Sequence, residues 1–330
     1  MATQIERDAM RRALALAAQG PSGPNPRVGC VLLDERGVVV GEGFHRGAGT
    51  AHAEVDALTR AAGRTPRTAV VTLEPCDHTG RTGPCTQALL SAGIRRVVVE
   101  RTDPNPMAAG GAQTLRDAGL DVELGPLCDD VPDLNLVWAE AMRRQRPFVT
   151  WKLAATLDGR SAAADGSSRW ITSPEARNDV HRLRGEADTI LVGTGTALAD
   201  DPHLTVRDGS GRAPLRAVMG LRALPPTLQV FDEAAATVLL PTRDPHEALA
   251  KLWSMERRHV FLEGGPTLAA AFLREDLVDE IVGYHAPALL GSGRAAVGDL
   301  GITTIGDTRR LAVTDVRLVG PDVRITYRRQ

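Results

Sequence analysis

The chain has 330 residues, 24% of them charged and 43% hydrophobic, with a formal net charge of −2. That length suggests two domains of roughly 100–200 residues each, large enough to bury cores without disulfides, and the near-neutral charge argues against a dedicated nucleic-acid binder. No apolar run approaches the roughly 18 residues of a transmembrane helix and residues 1–19 carry no signal-peptide core, so Cys30, Cys76, Cys85 and Cys128 read as reduced cytoplasmic thiols or metal ligands rather than a disulfide framework.

The first half alternates helix and strand. Residues 6–19 form a helix that stops at Gly20, before the rigid segment Pro21-Ser22-Gly23-Pro24-Asn25-Pro26. Strands at 28–33 and 38–44 flank a hairpin turn at 34–37. A helix at 52–61, a strand at 69–73, a helix at 85–92, a strand at 96–100, a helix at 112–118 and a short strand at 121–124 follow. Strands separated by helices imply an α/β fold with a largely parallel sheet. A helix over 131–146 ends in Arg143-Arg144-Gln145-Arg146-Pro147, which marks a domain boundary and divides the chain into 1–146 and 147–330.

A second α/β pattern then begins. Strands are expected at 148–155, 189–192, 215–219, 238–240, 259–262, 280–285, 311–318 and 323–327, and helices at 174–184, 245–255 and 267–274. There is no internal repeat, so the halves are different domains. Only two of the 39 basic residues are lysines, Lys152 and Lys251.

Chemistry concentrates first at Ala51-His52-Ala53-Glu54 and Glu74-Pro75-Cys76, with Cys85 following after eight intervening residues. A catalytic zinc takes three protein ligands and a water, and one histidine with two cysteines supplies the three. Residues i and i+2 do not share a helix face, so His52 and Glu54 must both sit in the first turn and aim off the helix end. Cys85 sits at a helix start, where the dipole favours a thiolate. A structural zinc needs a fourth ligand, and counting leaves His45 and His78 open for it. The ordered H-x-E and P-C elements match the zinc deaminase signature, except that the signature has two residues between its cysteines.

The wide cysteine spacing around His78-Thr79-Gly80-Arg81-Thr82-Gly83-Pro84 resembles the riboflavin-biosynthesis deaminase, as do Pro24-Asn25-Pro26-Arg27-Val28-Gly29-Cys30 and Asp103-Pro104-Asn105-Pro106. The resemblance extends to both halves of the bifunctional diaminohydroxyphosphoribosylaminopyrimidine deaminase/5-amino-6-(5-phosphoribosylamino)uracil reductase family. It implies an N-terminal cytidine-deaminase-like domain holding zinc on His52, Cys76 and Cys85, with Glu54 as catalytic proton shuttle. Asn25 would hold the substrate base, and His78, Arg81, Asp103 and Asn105 would lie around the ribose phosphate.

The second half has no GxGxxG, which argues against a Rossmann site. The junction Glu263-Gly264-Gly265-Pro266-Thr267 instead offers close backbone approach and free helix amides to a phosphate. The segments Lys152–Arg160, Trp170–Glu175, Gly193–Thr196 and Asp200–Arg207 resemble the family's reductase, which is similar in fold to dihydrofolate reductase and uses NADPH. That resemblance places NADPH on Ala154, Trp170, Thr196, Asp200, Gly265, Pro266, Thr267, Leu268, Ala269, Ala270 and Ala271. It places substrate on Ser168, Arg184, Leu204, Arg207 and Glu263. Hydride attack on an opened imine needs charge near the imine nitrogen, and Lys152 and Glu263 are the candidates for it. Two departures are visible: Gly220 stands where the family has Asp, and residues 208–235 are short for it.

The expected partners are small-molecule phosphoribosyl pyrimidines, with neither nucleic acid nor membrane. The chain is expected to be a cytoplasmic homo-oligomer, dimer or tetramer. A tRNA or nucleoside deaminase and a zinc-stabilised binding module are the rival readings; charge and cysteine spacing disfavour the first, and the second requires a fourth protein ligand.

Overall fold

The computed structural model describes residues 1–78, 83–127, 133–207 and 213–329. The chain forms two compact units, Met1–Arg144 and Gln145–Gln330. No described helix is long and apolar enough to cross a membrane.

The first unit begins with α1 (Gln4–Ala17), then β1 (Gly29–Leu33), β2 (Val39–Phe44), α2 (Ala53–Arg60), β3 (Thr68–Val71) and α3 (Cys85–Ser91). It ends with β4 (Arg96–Val99), α4 (Gly111–Asp117), β5 (Asp121–Leu124) and α5 (Leu136–Arg144). α1 starts two residues before its expected position because Thr3 and Glu6 form a reciprocal capping box. α5 is shorter than expected: Asp133 Oδ1 accepts from the Asn135 amide at 2.8 Å, a local turn that competes with helix.

The five strands are ordered β2-β1-β3-β4-β5. Only β3, β4 and β5 are parallel to one another; β1 runs antiparallel to both β2 and β3. The sheet is therefore mixed rather than largely parallel. The tight 34–37 turn forces the antiparallel hairpin, with Asp34 Oδ1 accepting from the amides of Arg36 and Val38 at 2.8 and 2.9 Å.

Successive β1 side chains point to opposite faces. Cys30 and Leu32 meet Ala53 and Ala57 of α2, Leu89 of α3 and Leu115 of α4. Val31 and Leu33 meet Met10 and Ala13 of α1. Two close approaches fix the elements that carry the H-x-E and P-C motifs. A Cβ on Gly43 would lie 2.4 Å from the Ala57 nitrogen, so α2 rests directly on β2. A Cβ on Gly111 would lie 1.8 Å from the Pro75 carbonyl oxygen, so α4 abuts the segment leading into Cys76. Gly111→Ala is expected to destabilise the first unit by about 1–3 kcal/mol through overpacking and to lower zinc retention, read by thermal unfolding and metal analysis.

The second unit contains β6 (Phe148–Thr156), β7 (Arg160–Ala162), α6 (Pro174–Glu186), β8 (Thr189–Gly193), α7 (Thr194–Asp200), β9 (Leu215–Met219) and β10 (Thr237–Leu240). α8 (Pro245–Ser254), β11 (His259–Leu262), α9 (Pro266–Arg274), β12 (Glu280–Ala286), β13 (Arg294–Ala295), β14 (Leu311–Val319) and β15 (Asp322–Arg329) complete it. Eight strands form one sheet, ordered β10-β9-β8-β11-β6-β12-β15-β14. The pairs from β10 to β12 are parallel, and β15 and β14 close the edge antiparallel. β7 and β13 pair separately.

On one face Trp151, Leu191, Ala217 and Leu262 pack against Leu249 and Leu252 of α8 and Ala269 and Phe272 of α9. The other face carries two clusters, one of Val180, Phe261, Val282 and Tyr284 and one of Ile190, Val192, Ala197 and Leu204. The helix α7 is absent from the sequence expectation, because Thr194-Gly195-Thr196 has weak helix propensity. Burial of Ala197 supplies what propensity lacks.

Candidate active sites

His52 is the N-cap of α2, with extended backbone (φ −68°, ψ 161°), and its ring projects off the helix end. Cys85 is the first residue of α3, and Cys76 lies between β3 and α3. His52 Nδ1 is 3.3 Å from Cys85 Sγ and 3.5 Å from Cys76 Sγ, and the three donor atoms all lie within 4.8 Å of one another. A tetrahedral zinc with Zn–N of about 2.0–2.1 Å and Zn–S of about 2.3 Å separates its nitrogen and sulfur ligands by about 3.5 Å. The donor set and its spacing fit zinc. Among the described residues this is the sole such grouping of three or more metal-binding side chains.

The two thiols do not behave as the helix dipole alone suggests. Cys76 is pulled down, first by its hydrogen bond with Cys85 and then by His52, while burial opposes. Cys85 is pushed up by that same contact and by burial. Adjacent sulfurs share one charge more readily than they carry two.

Glu54, one residue into α2, is 3% exposed. Burial raises its carboxyl to about 7, against the pull of His52. It is thus buried beside Cys85 and poised to exchange a proton near neutrality.

His45 is not a fourth ligand. Its Nδ1 faces the Ala51 carbonyl at 3.1 Å and its Nε2 faces Asn25 Nδ2 at 3.0 Å. Burial holds His45 below the ordinary histidine value, so the neutral ring donates to Ala51 and accepts from the Asn25 amide. Asn25 is thereby oriented near His52, whose ring meets that of His45 edge-on at 5.4 Å between centroids. His78 also lies outside the His52–Cys76–Cys85 group, and its buried Nδ1 has no hydrogen-bond partner among the described residues.

Asp103 is raised to about 6 by burial, while the Asn105 amide, which donates to it at 2.8 Å, opposes the shift. Arg81 falls outside the described residues. Sequence reasoning missed Glu74. Its carboxylate accepts from the amides of Asp103 (3.0 Å), Gly110 (3.2 Å) and Ala112 (2.9 Å), tying the Asp103 turn to the segment that presents Cys76. An acid shortly after a strand and two residues before a ligand was the available signal.

The second unit holds a cavity of about 820 Å³, within the usual range of roughly 300–1,000 Å³ for small-molecule sites. Lys152, Ala154, Ser168, Trp170, Arg184 and Thr196 line it, as do Asp200, Leu204, Arg207, Glu263, Gly265 and Pro266. Thr267, Leu268, Ala269, Ala270 and Ala271 do not. Ala269 and Ala270 are turned into the unit's interior by the helical period of α9, and Leu268 packs under Gly193 and Gly264.

Arg184 and Glu263 form a two-point ion pair, with Nη2 to Oε2 at 2.9 Å, and Arg184 Nη1 donates to the Thr205 carbonyl at 3.1 Å. Burial works against the Glu263 carboxylate, but Arg184 and then Lys152 hold it below the usual range. Burial, with Arg184, pulls Lys152 down, while Glu263 and Asp200 oppose. A Cβ on Gly265 would find its nearest neighbour 4.0 Å away at Thr196 Oγ1, so the α9 start is open to close approach. The open glycine, the helix amides behind it and the cavity volume fit a dinucleotide.

A profile described as "Cytidine and deoxycytidylate deaminase zinc-binding region" matches residues 3–101. One described as "RibD C-terminal domain" matches residues 147–325. The chain belongs to the RibD family. The Mycobacterium tuberculosis riboflavin biosynthesis protein RibD is 48% identical over 314 residues, 93% of this chain and 92% of that protein. The structure of Acinetobacter baumannii RibD, 36% identical, matches with a TM-score of 0.89 over 98% of this chain and 99% of that one. The Thermotoga maritima diaminohydroxyphosphoribosylaminopyrimidine deaminase/5-amino-6-(5-phosphoribosylamino)uracil reductase is 32% identical and also has a TM-score of 0.89, over 99% of both chains.

As a RibD, the chain is a bifunctional deaminase and reductase of riboflavin biosynthesis, with a cytidine-deaminase-like N-terminal part and a dihydrofolate-reductase-like C-terminal part. One feature of its RibD reductase half escaped the sequence reading. Arg216, fully buried on β9, donates to the carbonyls of His203 and Gln229 at 3.3 Å and to Asp232 Oδ1 at 2.6 Å. Gln229 in turn donates through its backbone amide to Asp201 Oδ1 at 2.7 Å. Together they hold the 200–207 loop over the cavity. An arginine inside the apolar run Leu215–Met219 was the signal.

Proposed function

We propose that this chain deaminates 2,5-diamino-6-(5-phosphoribosylamino)pyrimidin-4-one within residues 1–146 and reduces the ribosyl chain to ribityl with NADPH within 147–330. The convergence of His52, Cys76 and Cys85 beside the buried Glu54 carries this reading. Bound zinc supplies Lewis acidity that brings the pKa of a water from about 16 towards 7. Glu54 would take one proton from the attacking water and pass it to the ring nitrogen, and then carry the remaining hydroxyl proton to the departing amine, which leaves as ammonia. Asn25, fixed by His45, orients the base, while His78, Asp103 and Asn105, with Arg81, surround the ribose phosphate.

In the second half, bound NADPH would supply the hydride that reduces the ribosyl C1′ of the opened imine, whose nitrogen takes up a proton. Lys152 and Glu263 set the charge next to that carbon, and Ala154, Trp170, Thr196, Asp200, Gly265 and Pro266 bind the nucleotide. Ser168, Leu204, Arg184 and Arg207 hold the substrate, with Arg207 meeting its phosphate while Arg184 stays paired with Glu263. The exposed Val313, Val316 and Leu318 on the edge strand β14 support a homo-oligomer, and the free buried thiols accord with a cytoplasmic enzyme.

Purified zinc-loaded protein should release ammonia from the diaminopyrimidine phosphate and then consume NADPH. Stripping zinc with a chelator should stop ammonia release while NADPH oxidation continues on substrate already deaminated. Zinc-loaded protein that performs neither reaction, or that prefers tRNA or free cytidine, refutes the proposal.

A further inference from the structure

Besides the nucleotide's pyrophosphate, which the start of α9 can take, two phosphate groups must be recognised around the second cavity if the reading above holds: one on the substrate and one, the 2′-phosphate, that distinguishes NADPH from NADH. Most arginines around the cavity are already committed. Arg169 pairs with Asp200 at 3.8 Å, and Arg184 with Glu263. Arg177 donates to the Thr172 carbonyl at 2.7 Å and lies 4.4 Å from the centroid of the Trp170 ring. Arg207, which lines the cavity, and Arg222, which lies just outside its lining against Thr194 and Gly195, remain; both are exposed and both lack a carboxylate partner among the described residues.

These two guanidinium groups occupy different places. Arg207 lies on the Arg184–Glu263 side, where both arginines act on His181. Arg222 follows β9 and reaches over the first turn of α7. Its Nε donates to Thr194 Oγ1 at 3.4 Å, and a Cβ on Gly195 would come within 2.8 Å of its Nη2. Glycine at 195 therefore leaves the room that the guanidinium occupies. The next residue, Thr196, lines the cavity. Gly220, at φ 138°, adds no side chain here, and a Cβ there would lie 2.6 Å from Thr194 Oγ1. The end of β9 thus presents a cation and no carboxylate. It stands beside the end of β8, where Gly193 pairs with Met219. Ligands of open parallel sheets bind outside such carboxyl ends.

We infer that Arg222, held over α7 by Thr194, recognises the 2′-phosphate of NADPH, and that Arg207 is left to the substrate phosphate. A guanidinium fork meets phosphate in two-point geometry, and no existing ion pair has to be broken for it to do so. The assignment rests on the reading of the cavity as a nicotinamide nucleotide site.

The test is equilibrium titration of the full-length, zinc-loaded protein with NADPH and with NADH, followed by calorimetry and requiring no turnover. Wild type is expected to prefer NADPH. Arg222→Ala should weaken NADPH by roughly 10–100-fold, the scale of a lost charge-assisted contact, and leave NADH within about twofold. Arg222→Lys should recover part of the preference by returning the charge without the fork. An unchanged preference in Arg222→Ala, an equal loss for both nucleotides, or a wild type that binds both equally overturns the assignment of Arg222. Wild type that binds neither nucleotide overturns the underlying reading of the cavity, so the two failures are distinguishable.

Discussion

Glu54→Gln is expected to lose deamination by about 10²–10⁴-fold, the usual contribution of a positioned acid–base group, while zinc content and the reductase step stay unchanged. The substitution keeps the volume of a side chain that is 3% exposed and removes only its capacity to take a proton. The loss therefore reports proton transfer rather than collapse of the site. Burial has already raised this carboxyl to about 7, so the protein has arranged a group that gains and loses a proton at little cost near neutral pH. His52, Cys76 and Cys85 belong to different elements and do not need Glu54 to converge.

Ammonia release from the diaminopyrimidine phosphate, zinc by elemental analysis, and NADPH oxidation on pre-deaminated substrate give the three readings. A Glu54→Gln protein that still releases ammonia at the wild-type rate removes Glu54 from the chemistry. A zinc-stabilised binding module predicts that outcome, but such a module needs a fourth ligand. His45, the nearest ring, is engaged through both nitrogens by Ala51 and Asn25.

The His52–Cys76–Cys85 set was legible because zinc chemistry admits few residue types, and the motif order named them before any fold was known. What was not legible is how they are held. That depends on contacts between distant segments: Gly43 under α2, Gly111 against Pro75, and Glu74 reaching the amides of Asp103, Gly110 and Ala112. None of these has a local periodic signal. The hairpin turn at 34–37 was readable, yet its consequence was not drawn: a hairpin at the start of an α/β pattern makes β1 antiparallel to β2.

In the second unit the glycine-rich junction was read correctly as a helix start, but a stretch of seven residues cannot all face one cavity. The period of α9 sends Ala269 and Ala270 inward. Arg216 shows the opposite limit: a charge inside a strand looks like noise in a hydropathy pattern and proves to be the tie that holds the 200–207 loop.

Lys152→Arg is expected to lower NADPH-dependent reduction by about 100-fold or more, as misplacement near a reacting centre does, with deamination untouched. Lys152 lies within β6 at the register of Val282, on the sheet face of Val282 and Tyr284, and its side chain lines the cavity. Its neighbours in the electrostatic field are Glu263, Arg184 and Asp200. Arg184 already fills the guanidinium position against Glu263, so a second, broader guanidinium at 152 would compete for the same carboxylate and crowd the space open to substrate. A compact ammonium avoids both problems.

Burial also lowers the Lys152 pKa, and this response is open to an amine but hardly to a guanidinium. Lys251 supplies the control. It is the chain's other lysine, exposed on α8 with no role in the cavity, and Lys251→Arg should leave both reactions at wild-type rates. In a chain that uses arginine for nearly every positive charge, a lysine lining a cavity is informative only if arginine fails there. Steady-state reduction by Lys152→Arg at the wild-type rate would show that arginine succeeds, and Lys152 would then have no part in reduction that arginine cannot play.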